Sequence, residues 1–131
     1  MNQTNDMQTI DWWHDPILAF DKTIPEKFKA ISIGWIQNEN YTKGIMSDND
    51  IKLLEELCNH CKIDQGWLGY HTCAICNNFE DRGEVLLRTE DDRYYVMPHM
   101  ILHYVKDHQY KPSDQFIKDL RKYKIPKLKM A

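Results

Sequence analysis

The feature that most constrains this chain is the turn Cys73-Ala-Ile-Cys76, followed downstream by His99, His103 and His108. A C-x-x-C turn curls its backbone so that two thiolates face one point. Histidines on a later helix can then complete a tetrahedron around an ion. Soft thiolates with imidazole favour zinc over magnesium or calcium. Two cysteines and two histidines close the coordination sphere and leave no position for a substrate. The pattern points to a structural zinc ion and away from a metal-activated water.

Spacing leaves the two histidines open. His99 and His103 sit at i, i+4, on one face of a helix. His103 and His108 are five apart, about 140° around an ideal helix. That pair needs the helix to end near Asp107, so that His108 swings back. Gln109-Tyr-Lys-Pro112 offers such an exit, and three to five residues is an accepted spacing between zinc-ligating histidines. His71 is a further candidate beside the knuckle, as a ligand or as a hydrogen-bonding turn residue. Cys58-x-x-Cys61 could join Cys73 and Cys76 in a four-cysteine site. However, both lie on the apolar stripe of a good helix, where free cysteine is commonly buried. A redox role for Cys73 and Cys76 would want a helix straight after the motif, and nothing following Cys76 reads as one.

The rest of the chain reads as α+β. Residues 28–36, FKAISIGWI, have the period of a strand, and 38–44 a loop. Residues 47–61 read as a helix capped by Ser47, with Asp48 and Asp50 near the positive dipole end. QGWLG (65–69) is a turn. Residues 83–89 and 93–97 form a hairpin around Glu90-Asp-Asp. Pro98 suits the first position of a helix running through His108, and Pro112 opens a last helix, SDQFIKDLRKY. The 131 residues fit one domain. Within it we expect a partly ordered arm (1–15) pinned by Trp12 and Trp13, a strand–helix portion (28–65), a zinc-binding portion (66–122) and a basic tail (123–131).

Charge narrows the partners. Residues 111–131 hold seven Lys/Arg and two acids, net +5, while the remainder holds ten Lys/Arg and eighteen acids, net −8. An acidic body argues against a dedicated nucleic-acid binder, whose positive charge spreads over a face. If the chain does bind nucleic acid, Lys118, Arg121, Lys122 and Lys124, with Lys127 and Lys129, are the phosphate contacts. No run reaches the roughly 18 apolar residues of a membrane span, and the N-terminus lacks the charged and apolar regions of a signal peptide. We therefore expect a cytoplasmic protein, in which free thiols ligate metal or pack rather than form disulfides.

Enzyme templates fail on particular residues. Zinc deaminases need H-x-E before P-C-x-x-C, but Thr72 precedes Cys73 and no H-x-E occurs. The metalloprotease helix needs H-E-x-x-H, and His99-Met-Ile-Leu-His103 has Met100 in place of the base. No G-x-S-x-G and no phosphate-binding glycine loop is present.

Two blocks carry a family resemblance: Gly69-Tyr-His-Thr-Cys73-Ala-Ile-Cys76, and the run from Pro98 through His103-Tyr-Val-Lys-Asp-His108-Gln-Tyr110-Lys-Pro112 to Phe116. They resemble an uncharacterised family of small bacterial proteins with zinc-finger-like spacing. Its pattern has Leu at Met100 and a second Pro at Ser113. The resemblance spans about residues 69–120, and it implies a metal site and a shared fold but no established activity. It fixes histidines at 103 and 108 and leaves 99 free, so the implied ligands are Cys73, Cys76, His103 and His108. The expected function is a non-catalytic, zinc-stabilised module that binds another protein, as bacterial immunity or accessory regulatory proteins do. The alternative is a nucleic-acid-binding regulator using the basic C-terminal helix and tail. The sequence does not fix the oligomeric state.

Overall fold

A computed structural model describes residues 7–13, 23–63 and 70–123. A five-stranded sheet is built from β1 (Thr9–Trp13), β2 (Lys27–Ser32), β3 (Lys62–Ile63), β6 (Glu84–Arg88) and β7 (Tyr94–Pro98), in the order β1-β2-β7-β6-β3. Two short strands, β4 (Tyr70–Thr72) and β5 (Glu80–Arg82), pair separately. The helices are α1 (Asp48–His60), α2 (Ile101–His108) and α3 (Asp114–Lys122), and α1 packs against the other two. The fold is α+β, as the sequence indicates.

Alternation along the two central strands divides the core. Val85 and Leu87 of β6, with Tyr95 and Met97 of β7, pack beneath the helices against Leu54, Leu57, Tyr104 and Phe116. Leu86, Tyr94 and Val96 point the other way, toward Ala30, Phe28 and Trp12. Successive side chains of a strand face opposite sides, so every residue of β7 is buried. β6 and β7 form the expected hairpin. β2 joins β7 in parallel, with Ile31 opposite Tyr95 and Ser32 opposite Val96.

Three expectations change. Residues 9–13, expected within an arm, form β1, antiparallel to β2. Ile10 and Trp12 pack on the second core cluster, while Trp13 remains 42% exposed and its indole donates to Glu26. The strand expected over 28–36 ends at Ser32, because Gly34 turns the chain at φ +77°. A Cβ there would sit 3.0 Å from Ile101 Cδ1, so the position needs glycine for both backbone and space. The third concerns Pro98, which does not start a helix. It is the last residue of β7, past the final β2–β7 pair, and α2 begins at Ile101. The remaining residues of the arm, the turn at 65–69 and the tail from 124 lie outside the described residues.

The helix starts obey their caps. Ser47 Oγ accepts from the Asp50 N–H, and Ser113 Oγ from the Phe116 N–H. Asp50 in turn receives two hydrogen bonds from Arg121, at 2.9 and 2.7 Å, tying the end of α3 to the start of α1. The Arg121 guanidinium holds the Asp50 carboxyl below the usual carboxylate range, against the opposing effect of its burial. A carboxyl depressed in the fold adds stability above its unfolded pKa of about 3.9, and loses it as pH falls through the folded value. Arg121 is more than half exposed, so the pair should contribute only about 1 kcal/mol. Asp50→Asn should lower stability at pH 7 by that amount and flatten the acid side of a stability–pH curve below about pH 4. An unchanged acid limb in denaturant titrations would remove this pair from the account.

Candidate metal centre

Cys73 and Cys76 occupy the turn between β4 and β5. The Cys73 N–H donates to the Phe79 carbonyl (2.8 Å) and the Asn77 N–H to the Cys73 carbonyl (3.1 Å), closing the loop. Asn77 takes the left-handed conformation, φ 57°, which asparagine tolerates better than most residues. The turn aims backbone donors at sulfur: the N–H groups of Ile75 and Cys76 lie 3.3 and 3.4 Å from Cys73 Sγ, and that of Asn78 lies 3.4 Å from Cys76 Sγ.

The histidines arrive from α2. His103 is in its first turn, and His108 is its last residue. Gln109 then turns left-handed (φ 53°) and caps the helix on the Tyr104 carbonyl. Residues 41–44 clasp this exit. Tyr41 donates its hydroxyl to the His108 carbonyl (2.8 Å), Gly44 N–H to Gln109 O (2.9 Å) and Lys111 N–H to Thr42 O (3.0 Å). The helix thus ends where His108 can swing back, as a five-residue spacing requires.

The four side chains converge. Their donor atoms all lie within 4.8 Å of one another. Cys73 Sγ is 3.4 Å from His108 Nε2, Cys76 Sγ is 3.6 Å from His103 Nε2, and the two Nε2 atoms are 3.2 Å apart. Zinc–sulfur and zinc–nitrogen bonds of about 2.3 and 2.05 Å give a regular tetrahedron with edges of about 3.5 Å (S–N) and 3.3 Å (N–N). These three separations match those edges, and with all four donor atoms within 4.8 Å of one another the residues lie close enough to hold one ion. Burial, and then the neighbouring His103, holds the His108 imidazole below its usual pKa, favouring the neutral ring that ligates metals.

Further side chains hold the ligands. Asp107 Oδ2 lies 2.8 Å from His103 Nδ1, in ion-pair range though not aligned as a hydrogen bond. A carboxylate there favours the tautomer that leaves Nε2 free for metal. Phe79 stacks on the His103 ring at 4.2 Å and 7°, and the Tyr104 hydroxyl accepts from the Ala74 N–H at 3.4 Å. Asp107 was readable as the i+4 neighbour of His103. The contacts of Tyr41 and Phe79 had no sequence signal.

The domain-of-unknown-function family DUF7919 matches residues 3–121. The chain belongs to that family. The match takes in residues 3–65 of this DUF7919 chain, which the motif resemblance leaves out. No curated protein and no solved structure matches it.

The rival ligands of the DUF7919 chain sit elsewhere. His99 precedes α2, so the helical i, i+4 argument for it lapses, and its Nδ1 lies 2.7 Å from Asp81 Oδ2. His71 Nε2 lies 3.5 Å from Glu84 Oε2. Cys58 and Cys61 are fully buried in the main core, where burial, then Cys61, pushes the Cys58 thiol up to about 12. Among the described residues no second group of three or more metal-type donors comes together. Of the proposed phosphate contacts, Lys118 and Lys122 are exposed on α3 and Arg121 is bound to Asp50. Lys124, Lys127 and Lys129 lie outside the described residues. No helix among those residues is long and apolar enough to cross a membrane.

Proposed function

We propose that this chain is a non-catalytic module, stapled by one structural zinc ion on Cys73, Cys76, His103 and His108, that acts by binding another protein. The supporting observation is the convergence of four protein donor atoms within 4.8 Å of one another, three of their separations matching tetrahedral edges. Four such ligands satisfy zinc and leave no open position, whereas catalytic zinc keeps one for water. The partner reading draws on the acidic body of the chain and on Phe79, an aromatic 38% exposed at the rim of the knuckle. A role as a bacterial immunity or accessory regulatory protein is the form of it we favour, by analogy with other small acidic proteins. The acidic hairpin tip supports it less. Asp91 pairs with Arg93, and Asp92 with Arg88.

Cobalt substitution tests the closed site. Co²⁺ in place of zinc should give a tetrahedral sulfur–nitrogen spectrum that azide leaves unchanged. A spectrum that shifts on adding azide would show an open position and overturn the non-catalytic reading. A gel shift with generic DNA and RNA at 50 mM salt should show no complex. A retained, salt-sensitive complex would favour nucleic acid instead.

A further inference from the structure

An open cavity of about 590 Å³ lies beside the metal centre, between the start of β1, the chain after β2 and the strand β4. Its size falls within the roughly 300–1,000 Å³ of small-molecule sites. Two indoles form its aromatic wall, Trp12 and Trp35, with ring centroids 6.5 Å apart and planes tilted by 39°. Trp35 is anchored by its Nε1–H on the Val96 carbonyl, 3.2 Å away. His71 stands edge-on to Trp35 at 5.7 Å, with its Nε2 directed at the buried Glu84. Gln8 and Gln37 also line the cavity.

The lining chemistry selects the ligand. Among the described residues it includes no Lys, Arg, Asp or Glu. A phosphate or carboxylate would find no fixed counter-charge there, and neither would an ammonium. Flat indole faces favour a planar ring. Each glutamine amide offers donors and an acceptor, which complements a ring edge bearing both. Trp12 Nε1 is sealed from water and has no acceptor among the described residues. An unmet buried donor of this kind is costly to leave.

We propose that this cavity binds a small, neutral, planar nitrogen heterocycle with an amide-like edge, of nucleobase or nucleoside size. The site is separate from the closed metal centre and does not depend on the protein-partner reading.

The test is a titration of the full, zinc-loaded chain with adenosine, guanosine, uridine and cytidine, monitored by tryptophan fluorescence and by ¹H–¹⁵N NMR of the indole N–H groups. Adenosine monophosphate and indole are the comparison ligands. At least one nucleoside should bind saturably and shift the Trp12 and Trp35 indole signals. Gln37→Ala, at an exposed position, and His71→Ala should each weaken that binding at least about fivefold, with the far-UV spectrum unchanged. Adenosine monophosphate should bind no tighter than adenosine. The proposal is overturned if no nucleoside saturates at millimolar concentration, if indole binds as well as the best nucleoside, if the monophosphate binds more than tenfold tighter, or if neither variant changes binding.

Discussion

Stripping zinc from the folded chain should abolish the cooperative unfolding of residues 70–123. Structural zinc contributes on the order of 10–16 kcal/mol in small zinc-finger peptides, and whole domains are stable by only about 5–15 kcal/mol. The candidate metal centre brings the knuckle to both ends of α2, and α2 in turn packs on α1. Without an ion, two imidazole nitrogens stand 3.2 Å apart beside the two cysteine sulfurs with nothing to bind them together. We expect a strong chelator, or Cys76→Ser, to remove most of the thermal transition. Cys58→Ser buries a hydroxyl in an apolar cluster and should cost only about 1–3 kcal/mol, some 3–10 °C for a chain of this size. Differential scanning calorimetry with metal analysis makes the comparison. A chelated, zinc-free protein melting within a few degrees of the loaded one would refute the staple. Equal effects of the two serine substitutions would return Cys58 to the ligand set.

The second large effect is expected at Asp119, which is buried on α3. It accepts the Tyr95 hydroxyl at 2.6 Å and two Arg93 hydrogen bonds at 3.0 and 3.2 Å. One carboxylate thereby joins α3 to β7 and to the hairpin. Burial, then this carboxylate, pushes the Tyr95 phenol up to about 12, so it remains a donor at all ordinary pH. Asp119→Ala would strand a fully buried hydroxyl and free an arginine. Breaking a buried pair costs about 3–5 kcal/mol. Arg93 is partly exposed, which reduces the expected loss to about 2–4 kcal/mol, on the order of 10 °C in Tm. Tyr95→Phe leaves the Asp119–Arg93 pair intact and should cost about 1–2 kcal/mol. The double variant should fall short of the sum, because both changes remove one shared bond. Denaturant unfolding that places Asp119→Ala within about 0.5 kcal/mol of the parent would rule the network out as a major support.

The metal-type residues and the three helices were legible in the sequence, and for local reasons. C-x-x-C closes on itself, Ser47 caps the helix it precedes, and the 83–97 hairpin folds on its nearest neighbour; the last helix starts at Asp114 with Ser113 as its cap, two residues after the Pro112 that the sequence reads as its opening. The choice of histidines was not local. It depended on where α2 starts and stops. Pro98 reads as a helix start but is held in β7 by the β6 pairing opposite Glu84. That moves the helix on to Ile101 and takes His99 off it. The exit that turns His108 back is set by Tyr41 and Gly44, more than sixty positions away along the chain. β1 was missed because only Ile10 and Trp12 mark its inward face, too few positions to establish a period of two. β3, β4 and β5, of two or three residues each, are too short to carry a pattern.

The parallel pairing of β2 with β7 bears on how the chain is made. Ile31 meets Tyr95, 64 positions later by subtraction. At roughly 5–20 residues per second, a ribosome needs about 3–13 s to supply the second strand after the first. During that interval β2 has, among the described residues, only β1 to pair with, and an isolated two-stranded ribbon is marginal in water. The four metal-type ligands span only positions 73 to 108. If the site takes an ion as proposed, the knuckle and α2 can close around it as soon as they emerge, giving the waiting N-terminal strands a finished surface on which to assemble. Zinc supply during synthesis would then govern the yield of folded protein as well as its final stability.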